Sequence, residues 1–310
     1  MRNIKISFTS AADLPLAQLV ELINDTYQDY PIEVWFNVER LARMCTHEDV
    51  ELERSVIAWV DTLPVGLALL SIRGEAGWVS GVGVRPTWRR QGIASRIIDR
   101  IQAQAHGVGL TRLRLEVLTQ NTSAQELYRS AGFHEVRDLL VLVAEPDFRA
   151  PQRTPEGVEV ADPGRLLSHF ERFHEVEPSW QRDYPSLAHR IDQLTGLGLW
   201  SENELRGYLL ARRFTSTFNV LDLAVDPAAS QRLQIAGHLL AGLRALAHTF
   251  SAHVINLPAD DPLLPAFRRQ GYRAWQRQHE MAWSVTSSPR EETDERPGDR
   301  DPGGAAPAAR

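Results

Sequence analysis

The sequence predicts an α/β (α+β) fold, a mixed sheet with helices on both faces, built as two tandem units. Three observations predict it. Short alternating apolar runs are interleaved with stretches whose apolar residues recur at helical spacing. A strand, a glycine-bearing turn and a helix start follow one another directly at Val84-Arg85-Pro86-Thr87-Trp88-Arg89-Arg90-Gln91-Gly92-Ile93-Ala94. Beyond a proline-rich break, the chain begins again: Val158 and Val160 stand to Asp183-Tyr184-Pro185 as Ile4 and Ile6 stand to Asp29-Tyr30-Pro31.

Each element has its own signal. Ile4, Ile6 and Phe8 alternate as a first strand, and Asp13 precedes a helix with Leu16, Leu19, Val20 and Ile23 on one face. Asn37 can cap a second helix. Val56 to Val60 and Val65 to Ile72 read as a hairpin, and Trp78 to Val84 as a third strand. Ile93, Ile97, Ile98 and Ile101 mark a helix over 92–106, Leu113, Leu115 and Val117 a strand, and Ala124 to Ala131 a short helix. Phe133 to Val143 is expected to close the sheet of the first unit. The units are accordingly placed at 1–145 and 158–286, with a linker at 146–157 and a tail from 287 to 310 too poor in large apolar residues to order itself.

Composition narrows the function classes. The 310 residues carry a formal net charge of −6 with 24% charged and 43% hydrophobic residues, which suits a globular chain and not one that coats nucleic acid. No apolar run approaches the roughly 20 residues that span a bilayer. Met1 to Phe8 lacks the apolar core of a secretion signal, so a cytoplasmic location and no membrane partner are expected. Cys45 is the only cysteine, which excludes an internal disulfide, and ten histidines without ligand spacing lead us to expect no metal.

The strand–turn–helix run has the chemistry of a pyrophosphate cradle. A helix start carries unpaired N–H groups and partial positive charge, and Gly92 lets the backbone approach an anion closely. A second motif follows at Leu115-Glu116-Val117, Asn121, Ala124 and Leu127-Tyr128, ending at Gly132-Phe133. Together the two segments resemble the acetyl-CoA-binding core of the GNAT acetyltransferase superfamily, whose Arg/Gln-x-x-Gly-x-Gly/Ala hallmark is matched by Arg89-Arg90-Gln91-Gly92-Ile93-Ala94. The resemblance implies a first unit that takes acetyl-CoA as co-substrate and acetylates a small-molecule or peptide amine.

The resemblance also implies roles. The backbone of Val82, Gly83 and Val84 would pair with the pantetheine arm on a splayed strand. Arg89, Arg90, Gln91, Gly92, Ile93, Ala94 and Ser95 would surround the pyrophosphate, and Asn121 would contact the pantetheine or the turn of its own helix. The Glu116 and Tyr128 frame is similar to the protein N-terminal acetyltransferase branch, where the glutamate is base and the tyrosine acid. From the residues alone, Glu116 alternates with Arg112 and Arg114, so a surface ion pair competes with the base, and Tyr128 could be a core aromatic. The loop Asp25 to Trp35, mixing carboxylates with aromatics, together with Trp78 and Ser80, is expected to face the acceptor.

The second unit is a worn copy. Leu233 or Gln234 stands where Gly92 does, Asp260 where Asn121 does, and Phe267 replaces Tyr128. It is expected neither to bind acetyl-CoA well nor to catalyse, but to complete a shared sheet and shape the acceptor pocket, with Leu239, Leu240, Leu243, Leu246 and Ala247 as core. An acyl-CoA-binding module without turnover is the alternative function, and the duplication leaves a homodimer open.

Overall fold

The computed structural model describes residues 5–32, 34–147 and 153–284. The expected tail, Ile4, Glu33 and the middle of the linker lie outside them. One twelve-stranded sheet runs through the chain. In chain order the first half contributes β1 (Ile6–Ser10), α1 (Leu16–Tyr27), α2 (Val38–Glu48), β2 (Val56–Val60), β3 (Leu63–Arg73), β4 (Ala76–Val84), α3 (Ile93–Gly107), β5 (Arg112–Leu118), α4 (Thr122–Ser130) and β6 (His134–Ala144). The second contributes β7 (Val158–Ala161), α5 (Pro163–Leu167), α6 (Phe170–Phe173), α7 (Tyr184–Ala188), β8 (Leu194–Ser201), β9 (Glu204–Arg213), β10 (Thr217–Val225), α8 (Arg232–Leu246), β11 (Ser251–Pro258), α9 (Leu264–Arg269) and β12 (Arg273–Ser284).

The sheet order is β1-β2-β3-β4-β5-β12-β6-β11-β10-β9-β8-β7. Each half therefore sends its last strand into the other. β12 lies antiparallel to β5, with Glu280 opposite Glu116, while β6 pairs with β11 and β12. This corrects the expectation that Phe133 to Val143 closes the first unit. A final strand with apolar residues on alternate positions fits either half, and only the pairing geometry decides which.

Local chemistry accounts for most element boundaries. Asn37 caps α2 by accepting from the Arg40 N–H, as its position predicts. Asp13 precedes α1 as expected, but in a turn of its own: Ser10 and Asp13 close a reciprocal cap on a single 3₁₀ turn, and α1 begins at Leu16 after Pro15. On one face of the first half, α3 packs Ile93, Ile97, Ile98 and Ile101 against Leu113, Leu115 and Val117 of β5. On the other, α1 lays Leu19, Leu22 and Ile23 against Ile57, Leu67 and Leu69. Gly83 permits that contact: a Cβ there would sit 2.4 Å from Thr26 Oγ1. In the second half Leu239, Leu240, Leu243 and Ala247 are buried as expected, but Leu246, at the end of α8, is 48% exposed.

No helix among the described residues is long and apolar enough to cross a membrane, and none of their His, Cys, Asp and Glu side chains cluster as a metal would require.

Candidate active site

β4 and β5 are parallel neighbours only over Ala76 to Trp78 and Arg112 to Arg114. Past Trp78 they diverge. The register of β4 on β3 slips at the same place, with Leu69 opposite Gly81 and Leu70 opposite Val79, so Ser80 is a bulge residue. The bulge turns β4 away and opens a cleft of about 620 Å³ between the two strands and the starts of α3 and α4.

The cradle sits at the cleft's mouth. Arg90 and Gly92 both take positive φ, 62° and 76°, in the turn that leads into α3. Among the described residues, the backbone N–H groups of Arg90, Gln91, Gly92, Ile93, Ala94 and Ser95 have no hydrogen-bond partner. A Cβ at Gly92 would meet no protein atom within 4 Å, so the space beside it is open. Six free donors at a helix start suit a diphosphate.

The cleft is lined by Val82, Gly83, Val84, Arg89, Arg90, Gly92, Ile93, Ala94, Ser95, Asn121 and Tyr128; Gln91 and Glu116 lie outside it. Arg89, expected around the pyrophosphate, lines the cleft with its guanidinium already engaged. Its guanidinium grips Asp29 with both terminal nitrogens at 2.6 and 2.8 Å and donates to the Thr26 and Val84 carbonyls. It thus straps the α1–α2 loop to the end of β4, and holds the Asp29 carboxyl below its usual range. Asn121 caps α4, its side-chain oxygen accepting from the Ala124 N–H and the Ser123 hydroxyl.

Tyr128 is 8% exposed, and its hydroxyl has no hydrogen-bond partner among the described residues. Burial, with Tyr27 and Tyr30 beside it, raises its pKa, so the hydroxyl stays a donor. The same loop brings Tyr27, whose hydroxyl reaches the Val82 carbonyl at 3.4 Å.

Among the described residues Glu116 makes no surface ion pair, contrary to the competing expectation. Arg114 and Arg112 turn to Glu177 instead. Glu116 Oε2 accepts from the Trp78 indole N–H at 2.7 Å, and Oε1 is enclosed with no partner, although the residue as a whole keeps some exposed surface. Burial pushes its carboxyl up to about 8; the Trp78 bond lowers it, while Glu280 and Glu48 raise it. Trp180, Glu177 and Glu280 reach this site from the second half, and sequence reasoning missed all three because nothing local in their surroundings marks a contact made across so many residues.

The second half repeats the splay, since β10 and β11 pair only over Thr217 to Asn219 and Ser251 to His253, with a slip between Val220 and Asp222. Its own side chains occupy the region. His174 and Tyr208 bond Asp222 at 3.1 and 2.8 Å, Arg172 pairs with Asp226 at 2.7 Å, and the N–H groups of Gln234 and Ile235 are already given to the Gln231 carbonyl. Phe267 is buried at 1% exposure.

Residues 16–133 match the Acetyltransferase (GNAT) family. The IAA acetyltransferase of Azospirillum brasilense is 30% identical over 138 residues, 43% of this chain and 86% of that protein. The chain belongs to the GNAT acetyltransferase family. A GCN5-related N-acetyltransferase from Sphaerobacter thermophilus superposes with a TM-score of 0.69 at 17% identity, covering 90% of this chain and 96% of that one. A tandem GNAT protein from the clavulanic acid biosynthesis pathway does so with 0.68 at 13% identity, covering 92% and 100%. These likenesses span both halves, so the fold is two tandem GNAT-like units. The match extends over only 26–39% of the length of two further curated relatives. GNAT enzymes use acetyl-CoA as co-substrate, and the six free N–H groups beside a splayed strand fit its pyrophosphate and pantetheine.

Proposed function

We propose that the first half transfers an acetyl group from acetyl-CoA directly to a primary amine. The observation that carries this is the set of unpartnered N–H groups from Arg90 to Ser95 opening onto the cleft that also holds the free Tyr128 hydroxyl. The backbone at Arg90 to Ser95 holds the pyrophosphate, with Arg90 adding charge at the rim, and the edge of Val82, Gly83 and Val84 receives the pantetheine arm.

An alkylammonium has a pKa near 10.4, so about one molecule in a thousand is a free amine at neutral pH. Glu116, with its proton affinity raised by burial, accepts that proton. The amine nitrogen then bonds to the thioester carbonyl carbon, the carbon–sulfur bond breaks with the bonding pair leaving on sulfur, and the proton that the nitrogen gives up in becoming an amide passes to that sulfur, so that CoA departs as its thiol. Tyr128 donates a hydrogen bond to the sulfur as charge develops. Arg89 positions the α1–α2 loop, which forms the acceptor wall with Tyr27, Asp29 and Tyr30.

Calorimetric titration with acetyl-CoA, followed by CoA release on a panel of polyamines, aminoglycosides, amino acids and peptide N-termini, tests the reading. Binding with turnover on one class supports it; absence of heat refutes it. Binding without turnover on any class favours the second reading, an acyl-CoA-binding module. That reading has one observation in its favour, since Glu116 lies outside the residues lining the cleft. The second half acts as the partner that completes the sheet, and the protein works in the cytoplasm without metal.

A further inference from the structure

Glu116 is held by a stack that begins in the other half of the chain. Trp78 donates its indole N–H to Glu116, and Trp180 lies over Trp78 with ring centroids 6.0 Å apart and planes 20° from parallel. Trp180 belongs to the segment between α6 and α7, far from β4 in sequence. It is fixed on every side. Its own indole N–H donates to the Glu48 carbonyl at 3.0 Å, and the Arg73 guanidinium lies 4.2 Å from its ring centre. Arg73 in turn bonds the Trp180 carbonyl, both oxygens of Asp183, Ser186 and Asp49.

We propose that Trp180 is a positioning residue for the first half's base: its ring backs Trp78 and excludes water from the indole–carboxylate bond that aims Glu116. This deepens the acetyltransferase reading and rests on Glu116 being the base. It also gives the worn second copy a task. A hydrogen bond of this kind keeps its direction only while the donor ring cannot tilt, and a large flat neighbour at stacking distance removes that freedom.

The charged groups facing Glu116 belong to several elements. Glu280 of β12 stands directly opposite it, itself paired with Arg137 of β6 at 2.7 Å and Arg114 of β5 at 3.7 Å. Glu48 closes α2, with Arg190 at 3.7 Å. Glu177 holds Arg112 and Arg114. Of these residues only Glu48 touches Trp180, through its backbone carbonyl, so replacing Trp180 removes that bond and the Arg73 ring contact while the side-chain pairs of Glu280, Glu48 and Glu177 keep their own partners.

The test follows the Trp78 indole ¹⁵N–H resonance of the full chain against pH, identified by its loss in Trp78→Phe. In the parent it should titrate with Glu116 on the alkaline side of neutrality, and Glu116→Gln should abolish that titration. Trp180→Ala should move the midpoint down by about one unit or more as water reaches the carboxyl. Trp180→Phe should restore it to near the parent value, and Trp275→Ala, at a 52% exposed ring on β12, should leave it unchanged. Should Trp180→Ala not fold, Trp180→Leu carries the comparison, with a smaller shift in the same direction.

Where an amine substrate has been found, the acid limb of kcat/KM should move with the resonance while the Kd for acetyl-CoA stays constant. A midpoint unchanged in Trp180→Ala, a Trp180→Phe variant displaced as far as the alanine one, or a Trp78 resonance that does not titrate in the parent overturns the proposal. Failure to bind acetyl-CoA would instead refute the enzyme reading, and the resonance experiment would still decide what Trp180 does.

Discussion

Replacing Glu116 by Gln should make the protein more stable in alkali than its parent. The carboxyl stands at about 8 in the fold against an ordinary 4.5, so between those values the folded chain holds a proton that the unfolded chain has released. Because the folded value is the higher one, the stability of the neutral group is complete below about pH 4.5 and is lost as pH rises through about 8. At about 1.4 kcal/mol per unit, the interval corresponds to about 5 kcal/mol as an upper limit. Glu48, itself pushed up to about 7, lies in the same field and relieves part of the repulsion by its own protonation, so we expect Gln to recover about 2–3 kcal/mol. Gln keeps an oxygen for the Trp78 N–H, which isolates charge from shape. Urea denaturation at about pH 5 and about pH 9 measures it, with the variant's midpoint falling less than the parent's over that range. An equal fall in both proteins, or a variant less stable than the parent at the alkaline end, would refute the assignment of a desolvated carboxyl.

Three further outcomes follow from the cleft. Tyr128→Phe removes a hydroxyl that no described residue uses, so kcat should drop about 10- to 100-fold with the acetyl-CoA Kd unchanged, checked by steady-state kinetics beside calorimetry. Gly92→Val places a branched side chain at φ 76° where only the ligand would meet it; calorimetry should find acetyl-CoA binding lost, at a stability cost of about 1–3 kcal/mol. Gly83→Val drives a Cβ to 2.4 Å from Thr26 Oγ1, pushing α1 off β4; denaturation should register about 1–3 kcal/mol, whereas Gly81→Ala, with its nearest contact at 3.4 Å to the Tyr27 hydroxyl, should be milder.

The donor side of the site was legible because its determinants are local. Gly92 supplies the positive φ, the helix behind it leaves its first N–H groups unpaired, and both facts are consequences of residues adjacent in sequence. The partners of Arg89 were not legible, for the converse reason. A guanidinium reaches whichever anion folding brings near, and here that is Asp29, distant in the chain. Glu116 illustrates a similar gap. Its alternation with Arg112 and Arg114 placed all three on one face of β5, but which of them meets Glu177 or Trp78 depends on a segment from the other half.

By itself the sequence determined the class of fold, the duplicated organisation, the glycine turn that opens α3 and the family to which it belongs, since apolar period, turn chemistry and helix capping act over a few residues. Only the tertiary structure decided that β6 and β12 cross between the halves, that Arg89 braces a loop, and that Trp180 stands behind the indole holding Glu116. Strand exchange and long-range burial depend on which surfaces meet after collapse, and the free energy of a buried charge is set by every neighbour at once.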